Sequence, residues 1–306
     1  MLQLQKILFS TDFSNCAEQA LAHAVFLAEK YGAEIHVLHV ITLFEDQPSV
    51  VSDEITETEE MIRKLEEIAE KQLNKVVDST DSDDLKITTS IKRGLSAAPV
   101  ILEYAEDKDI DLIVMGTHGR RGLEHLLLGS AAEEVVRMAP CPVFTVRELR
   151  EPKPVMQVNN ILVPVDFSSH SQKALSYASE IAQSYDAKLQ VLHIIEETMH
   201  PAFSVTGKSS IFDLVPGIKE DSKRRAEKML KEVVSEKVNA NVYIKGGRAA
   251  NDIIKFAKEN STDLIVIATH GLTALEHMLL GSVTEKVVRM AHCPVFTVKA
   301  FGKSLI

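Results

Sequence analysis

The sequence predicts an α/β protein of two tandem domains, each a parallel sheet with helices on both faces. Three observations predict it. The length of 306 residues suits two domains of about 150. Residues 111–146 and 263–298 are identical at 26 of 36 positions, so one unit occurs twice. In both halves short, almost continuously apolar strands alternate with helical stretches, the pattern of strands buried on both faces of a parallel sheet.

In the first half, Lys6–Thr11 reads as a strand. Ser14 is a candidate N-cap for a helix to about Tyr31, with Gly32 just beyond its end. A strand at Glu34–Ile41 follows, then a helix from about Glu54 to Val76, a strand at Lys86–Lys92 and a helix at Ala97–Glu106. The strand Leu112–Met115 runs into a glycine-containing turn, a helix at Ser130–Met138 and a closing strand, Pro142–Val146. The second half repeats the order. Its strands are expected at Ile161–Val165, Lys188–Ile195, Asn241–Lys245, Leu264–Ile267 and Pro294–Val298. Its helices are expected at Ser169–Tyr185, Glu220–Lys237, Ala249–Glu259 and Ser282–Met290. A surface loop is expected over Glu196–Lys219, with Pro201, Gly207, Pro216 and Gly217. The expected domains are 1–148 and 160–306, joined by a linker at 149–159 that carries Pro152 and Pro154.

Composition narrows the function. A net charge of -10 argues against a long nucleic-acid or anionic-membrane surface, which needs a clustered basic face. No apolar run approaches the roughly 20 residues of a membrane span, and the opening MLQLQKILFSTDFS lacks a signal-peptide pattern, so a cytoplasmic address is expected. Cys16, Cys141 and Cys293 show no CxxC or Cys/His ligand spacing and read as small buried residues.

Ligands of doubly wound sheets sit at the carboxyl ends of strands. Three features collect there in each half. Asp12 and Asp166 end the first strands. Gly116 and Gly119, or Ala268 and Gly271, lie in the turn after the fourth. Gly129-Ser130 and Gly281-Ser282 open the next helix. Glycines let backbone N–H groups approach phosphate oxygens, and a helix N-terminus adds donors and a favourable dipole. The motif is neither GxxxxGK[ST] nor GxGxxG. A structural alternative exists: Ser130-Ala-Ala-Glu133 and Ser282-Val-Thr-Glu285 both fit a capping box. His118 and His270 sit inside the turn as candidate phosphate contacts, whereas His39 and His193 read as packed residues at strand ends. His125 and His277 have no nucleophile or carboxylate at an interpretable spacing. No catalytic or metal-ligating set is assigned.

Gly-x2-Gly-x9-Gly-Ser, an aspartate ending the first strand and the closing CPVFTV resemble the universal stress protein family in tandem form, over nearly the whole chain. The resemblance implies two Rossmann-like (adenine nucleotide alpha hydrolase-like) domains, each a five-stranded parallel sheet of order 3-2-1-4-5. It implies that Asp12 with Val40, and Asp166 with Ile194, hold an adenosine. The phosphates would fall to Gly116, Gly119, Gly129 and Ser130, and to Gly271, Gly281 and Ser282. Arg120, beside the first turn, is a further candidate. Ala268 departs from the pattern where a glycine is expected; its methyl would crowd a phosphate or forbid a positive φ. With Arg120-Arg121 replaced by Leu272-Thr273, this makes the first site the expected stronger one.

The implied function is that of an adenine-nucleotide-binding stress-response or regulatory protein, taking ATP, ADP or AMP with Mg²⁺ entering on the nucleotide. The alternative is a slow ATPase or nucleotidyl transferase at the same site; a third class is an interaction module without ligand. The two domains are expected to pair through their closing strands as an intramolecular pseudo-dimer, with a homodimer as a further option. Neither nucleic acid nor membrane is an expected partner.

Overall fold

A computed structural model describes residues 2–42, 55–80, 84–119, 128–149, 157–197, 211–271, 280–299 and 301–306, with the backbone alone at 55–58. The chain divides into two compact units, one of Gln3–Val155 with Gly302–Leu305, the other built on Met156–Phe301.

The first unit runs β1 (Lys6–Ser10), α1 (Asn15–Tyr31), β2 (Glu34–Thr42), α2 (Ile55–Asp78), β3 (Ile87–Gly94), α3 (Ala97–Asp107), β4 (Leu112–Gly116), α4 (Ser130–Met138), β5 (Val143–Val146). Its strands lie in the order β3-β2-β1-β4-β5, all parallel. Ile7, Leu8, Ile35, Leu38, Ile113 and Val114 are fully buried, as strands covered on both faces require. The edge strand β3, ITTSIKRG, has no fully buried residue, and its threonines, lysine and arginine suit an edge that must not recruit another chain.

The second unit repeats this with β6 (Asn160–Pro164), α5 (Ser169–Tyr185), β7 (Lys188–Glu196), α6 (Ile211–Leu214), α7 (Ile218–Val233), β8 (Ala240–Gly247), α8 (Ala249–Glu259), β9 (Leu264–Ala268), α9 (Ser282–Met290) and β10 (Val295–Val298). The order is β8-β7-β6-β9-β10, again parallel. The short helix α6 lies within the segment expected to be a loop; Asp213 in its first turn suits a helix N-terminus. The preceding 198–210 lie outside the described residues.

Local chemistry explains the helix ends. Ser14 Oγ accepts Ala17 N–H at 3.2 Å, and Gly32 closes α1 in the left-handed region at φ 67°. Ser168 caps α5 in the same way through Ser171 N–H, 3.1 Å. At the amino ends of the strands an aspartate replaces sheet hydrogen bonding. Asp111 Oδ2 accepts Gln5 and Lys6 N–H at 2.7 and 2.8 Å, and Asp263 Oδ2 accepts Asn159 and Asn160 N–H at 3.0 and 3.1 Å. The first unit's aspartate has an additional partner. Lys303 Nζ sits 2.7 Å from Asp111 Oδ1 and 2.8 Å from Asp109 Oδ1, while Lys303 N–H donates to Pro140 O at 2.7 Å. Gln3 N–H donates to Leu305 O at 2.9 Å, and Leu305 is buried. Gly302–Leu305, which follow the second unit in sequence, therefore complete the first.

Candidate functional site

Each unit has a concave site at the carboxyl ends of its strands, beside the crossover from β1 to β4 or from β6 to β9. Asp12 follows β1. Its Oδ1 accepts Ser14 N–H at 3.1 Å and Ser14 O–H at 2.6 Å, which fixes the carboxylate while Ser14 caps α1. Asp166 makes the same pair of contacts with Ser168, at 3.0 and 2.5 Å. The other carboxylate oxygen faces the glycine turn. A Cβ at Gly119 would stand 2.6 Å from Asp12 Oδ2, and one at Gly271 would stand 2.5 Å from Asp166 Oδ2. Close approach of the loop to the carboxylate is what demands glycine, since neither residue has a positive φ.

Backbone hydrogen bonds tie the start of each helix to the residues that follow the fourth strand of its sheet. Gly129 N–H donates to Thr117 O at 2.9 Å and Gly281 N–H to Thr269 O at 3.0 Å. Gly129 and Gly281 are the N-caps of α4 and α9, and neither helix has a side-chain cap. The capping-box reading of Ser130 and Ser282 is thereby corrected. Each serine is the first helical residue, one place too late to cap, and each is exposed. Among the described residues, no side chain caps either helix N-terminus, so its first N–H groups face outward from the helix.

The structure brings most of the expected residues together. A cavity of about 120 Å³ is lined by Asp12, Val40, Gly116, His118, Gly119 and Gly129, along with Ala131 and Ala132 rather than Ser130. Its counterpart, about 300 Å³, is lined by Asp166, Ile194, Ala268, His270, Gly271, Gly281 and Ser282, and also by Glu196. Arg120, Arg121, His125, Leu272, Thr273 and His277 lie outside the described residues. Within the turns, His118 Nδ1 is 2.8 Å from Thr117 Oγ1 and His270 Nδ1 is 3.0 Å from Thr269 Oγ1.

Gly116 has a reason of its own. A Cβ there would lie 2.8 Å from Cys16 Sγ and 3.2 Å from the Cys16 carbonyl carbon. The thiol is buried and donates to Val146 O at 3.3 Å, and burial pushes its pKa up. Glycine at 116 thus answers the packing of α1, and its φ is not positive. In the second unit the position of Cys16 is taken by His170, and Ala268 fits as a buried wall of the cavity whose carbonyl accepts Thr284 O–H at 2.7 Å. No positive φ is required at Ala268, so the backbone objection to the alanine falls, while its methyl stands in the wall of the cavity.

Sequence reasoning missed the residue after each aspartate. Phe13 and Phe167 have φ of 62° and 66°, a costly conformation for a bulky side chain. Both are held by a histidine near the carboxyl end of the neighbouring strand, His39 of β2 or His193 of β7. His39 lies 4.4 Å from the Phe13 ring and His193 lies 4.2 Å from the Phe167 ring, centroid to centroid. Each Nδ1 is 2.8 Å from a backbone oxygen of the same turn, Thr11 O or Val165 O. These histidines are more than packed residues, because they brace the turn that aims Asp12 and Asp166. Burial lowers the His193 pKa, and the nearby Arg225 guanidinium, stacked 4.3 Å over Phe167, lowers it further; the Val165 carbonyl and Asp166 oppose them. The signal was present as a doubled Asp-Phe-Ser followed by His at one fixed spacing.

A model described as the universal stress protein family matches residues 3–147 and again 157–299. The chain belongs to the universal stress protein family. It is 26% identical over 315 residues to a universal stress protein of Synechocystis sp., spanning 96% of this chain and 99% of that one. A shorter universal stress protein of Methanocaldococcus jannaschii is 36% identical over 146 residues, which is 47% of this chain and 82% of the relative. Among solved structures, a universal stress protein from Archaeoglobus fulgidus aligns over 96% of this chain and 98% of its own, with a TM-score of 0.68 and 23% identity, a likeness of fold. The tandem universal stress protein architecture and its 3-2-1-4-5 sheet order thus stand on sequence and on structure. Among the described residues, no helix is long and apolar enough to cross a membrane.

Proposed function

We propose that this universal stress protein binds an adenine nucleotide at the carboxyl edge of each sheet and acts in the cytoplasm as a stress-response or regulatory binding protein. The observation that carries the reading is the pair of helix N-termini, α4 and α9, without a side-chain cap among the described residues and across a cavity from a fixed carboxylate. Unsatisfied N–H groups and the positive end of the dipole favour phosphate. The carboxylate at the opposite wall suits the hydroxyl and amino donors of a nucleoside. Backbone donors at Ser130 to Ala132, and at Ser282 to Thr284, would hold the phosphates, with Gly129 and Gly281 closing the turn beside them; Asp12 with Val40, and Asp166 with Ile194, would hold the nucleoside. Mg²⁺ would enter on the phosphate oxygens, which it prefers together with water.

The second cavity is the roomier, and about 300 Å³ meets the lower bound of ordinary ligand pockets. On that larger volume we expect the second domain to fill first, the reverse of the order expected from Ala268 and from Arg120-Arg121, the latter outside the described residues. Mass spectrometry of small molecules released from the denatured protein, followed by calorimetric titration with ATP, ADP and AMP, tests the reading. Gly119→Ala and Gly271→Ala variants order the sites, the second expected to remove more of the affinity. Absence of heat with all three nucleotides in wild type would reject nucleotide binding.

A further inference from the structure

Strand β7 sends alternate side chains to the second cavity: Leu192, Ile194 and Glu196 all line it, as the two-residue period of a strand requires. The last of the three is a carboxylate. Its Oε1 accepts the N–H of Ala249, the first residue of α8, at 3.1 Å. That bond stands in for the side-chain cap α8 lacks and holds the carboxylate at the cavity wall. An ionised carboxylate offers about four acceptor positions and no donor, so the Ala249 bond leaves most of its capacity unused.

The duplicated domain provides an internal control. Asp12 corresponds to Asp166 and Val40 to Ile194, which makes Thr42 the counterpart of Glu196. Among the described residues lining the first cavity, Asp12 is the one carboxylate; the second has Asp166 and Glu196. The equivalent strand position in the first domain is a threonine, so the strand itself does not demand an acid here.

We propose that Glu196 is a specificity-determining residue of the second site. It accepts a hydrogen bond from a donor group on the ligand, either the exocyclic amine of the base or a sugar hydroxyl. The proposal rests on nucleotide binding at this cavity. A keto oxygen in the amine's place would set lone pairs against the carboxylate. A missing hydroxyl would leave the acceptor without its partner, and sites built to receive a donor reject analogues that lack it.

The test is calorimetric titration of the full chain and its Glu196→Gln variant with ATP, with inosine triphosphate, and with 2′- and 3′-deoxy-ATP. Glutamine keeps an oxygen for Ala249 N–H and replaces the other oxygen with an amide donor. In wild type one of the two sites should prefer ATP over at least one analogue by about tenfold or more. In the variant that preference should collapse, with thermal stability unchanged. Collapse against inosine triphosphate identifies the amine, and collapse against a deoxynucleotide identifies the hydroxyl. Equal preferences in the two proteins, or a variant that loses only thermal stability, would overturn the proposal and reduce Glu196 to an anchor for α8. Wild type that binds none of these nucleotides would instead overturn the binding reading itself, and this proposal with it.

Discussion

Replacing Gly116 with alanine separates two explanations of the first glycine in the motif. The new Cβ would stand 2.8 Å from Cys16 Sγ, 3.2 Å from its carbonyl carbon and 3.3 Å from its Cβ, where carbon contacts normally settle near 3.5–4.0 Å. The obstacle cannot swing away, because Cys16 is 1% exposed and its thiol is tied to Val146 O. Overpacking of this kind costs about 1–3 kcal/mol. In a unit of this size that lowers Tm by about 2–12 °C. Urea denaturation and calorimetry of Gly116→Ala should show the loss. Adding Cys16→Ala should return part of it, since Sγ is the nearest of the three atoms. The mirror change, Ala268→Gly, should cost only about 0.5–1 kcal/mol through backbone entropy. A Gly116→Ala protein as stable as wild type but with nucleotide binding in the first domain abolished would refute the packing account and return this glycine to the phosphate.

Ser14→Ala and Ser168→Ala should each lower stability by about 1 kcal/mol through loss of an N-cap, measured by urea denaturation. Ser130→Ala and Ser282→Ala should leave stability within about 0.5 kcal/mol of wild type, because neither serine caps its helix. Burial holds the His23 pKa at about 4, below its ordinary 6.5, so the fold favours the neutral ring. Its contribution is complete above pH 6.5 and is lost as pH falls from there toward 4. Urea midpoints across that window should fall less steeply in His23→Gln than in wild type. Lys303→Met should destabilise the first unit by about 1–3 kcal/mol, since it strips a charged partner from the buried Asp111, and differential scanning calorimetry should show it.

What was legible in the sequence was what repeats or is local. The doubled stretch announced two domains, Ser14 and Gly32 announced the ends of α1, and apolar runs between helices announced a parallel sheet. The helices α1, α4, α5, α8 and α9 begin where their composition says. What stayed hidden depends on partners distant in sequence. Nothing around Gly116 names Cys16, a hundred residues earlier, and nothing in Asp111 foretells Lys303. The strained Phe13 and Phe167 sit in turns whose cost is visible only once His39 and His193 are seen against them. The serines of the Gly-Ser pair fit a capping motif in sequence; only the backbone shows that the glycine before each occupies the capping position. The prolines and glycines from Pro201 to Gly217 mark a loop over Glu196–Lys219, and only pairing with β8 shows that Glu196 still belongs to β7.

The docking of Gly302–Leu305 sets an order of events during synthesis. The first unit is translated first, yet the lysine that pairs with Asp111 follows the whole of the second unit in sequence. At about 5–20 residues per second, roughly ten seconds or more separate the first unit from its final piece. Through that interval Asp111 has its backbone donors and lacks its countercharge. A nascent chain paused before Gly302 should therefore carry a first unit looser than that of a chain that has passed Leu305.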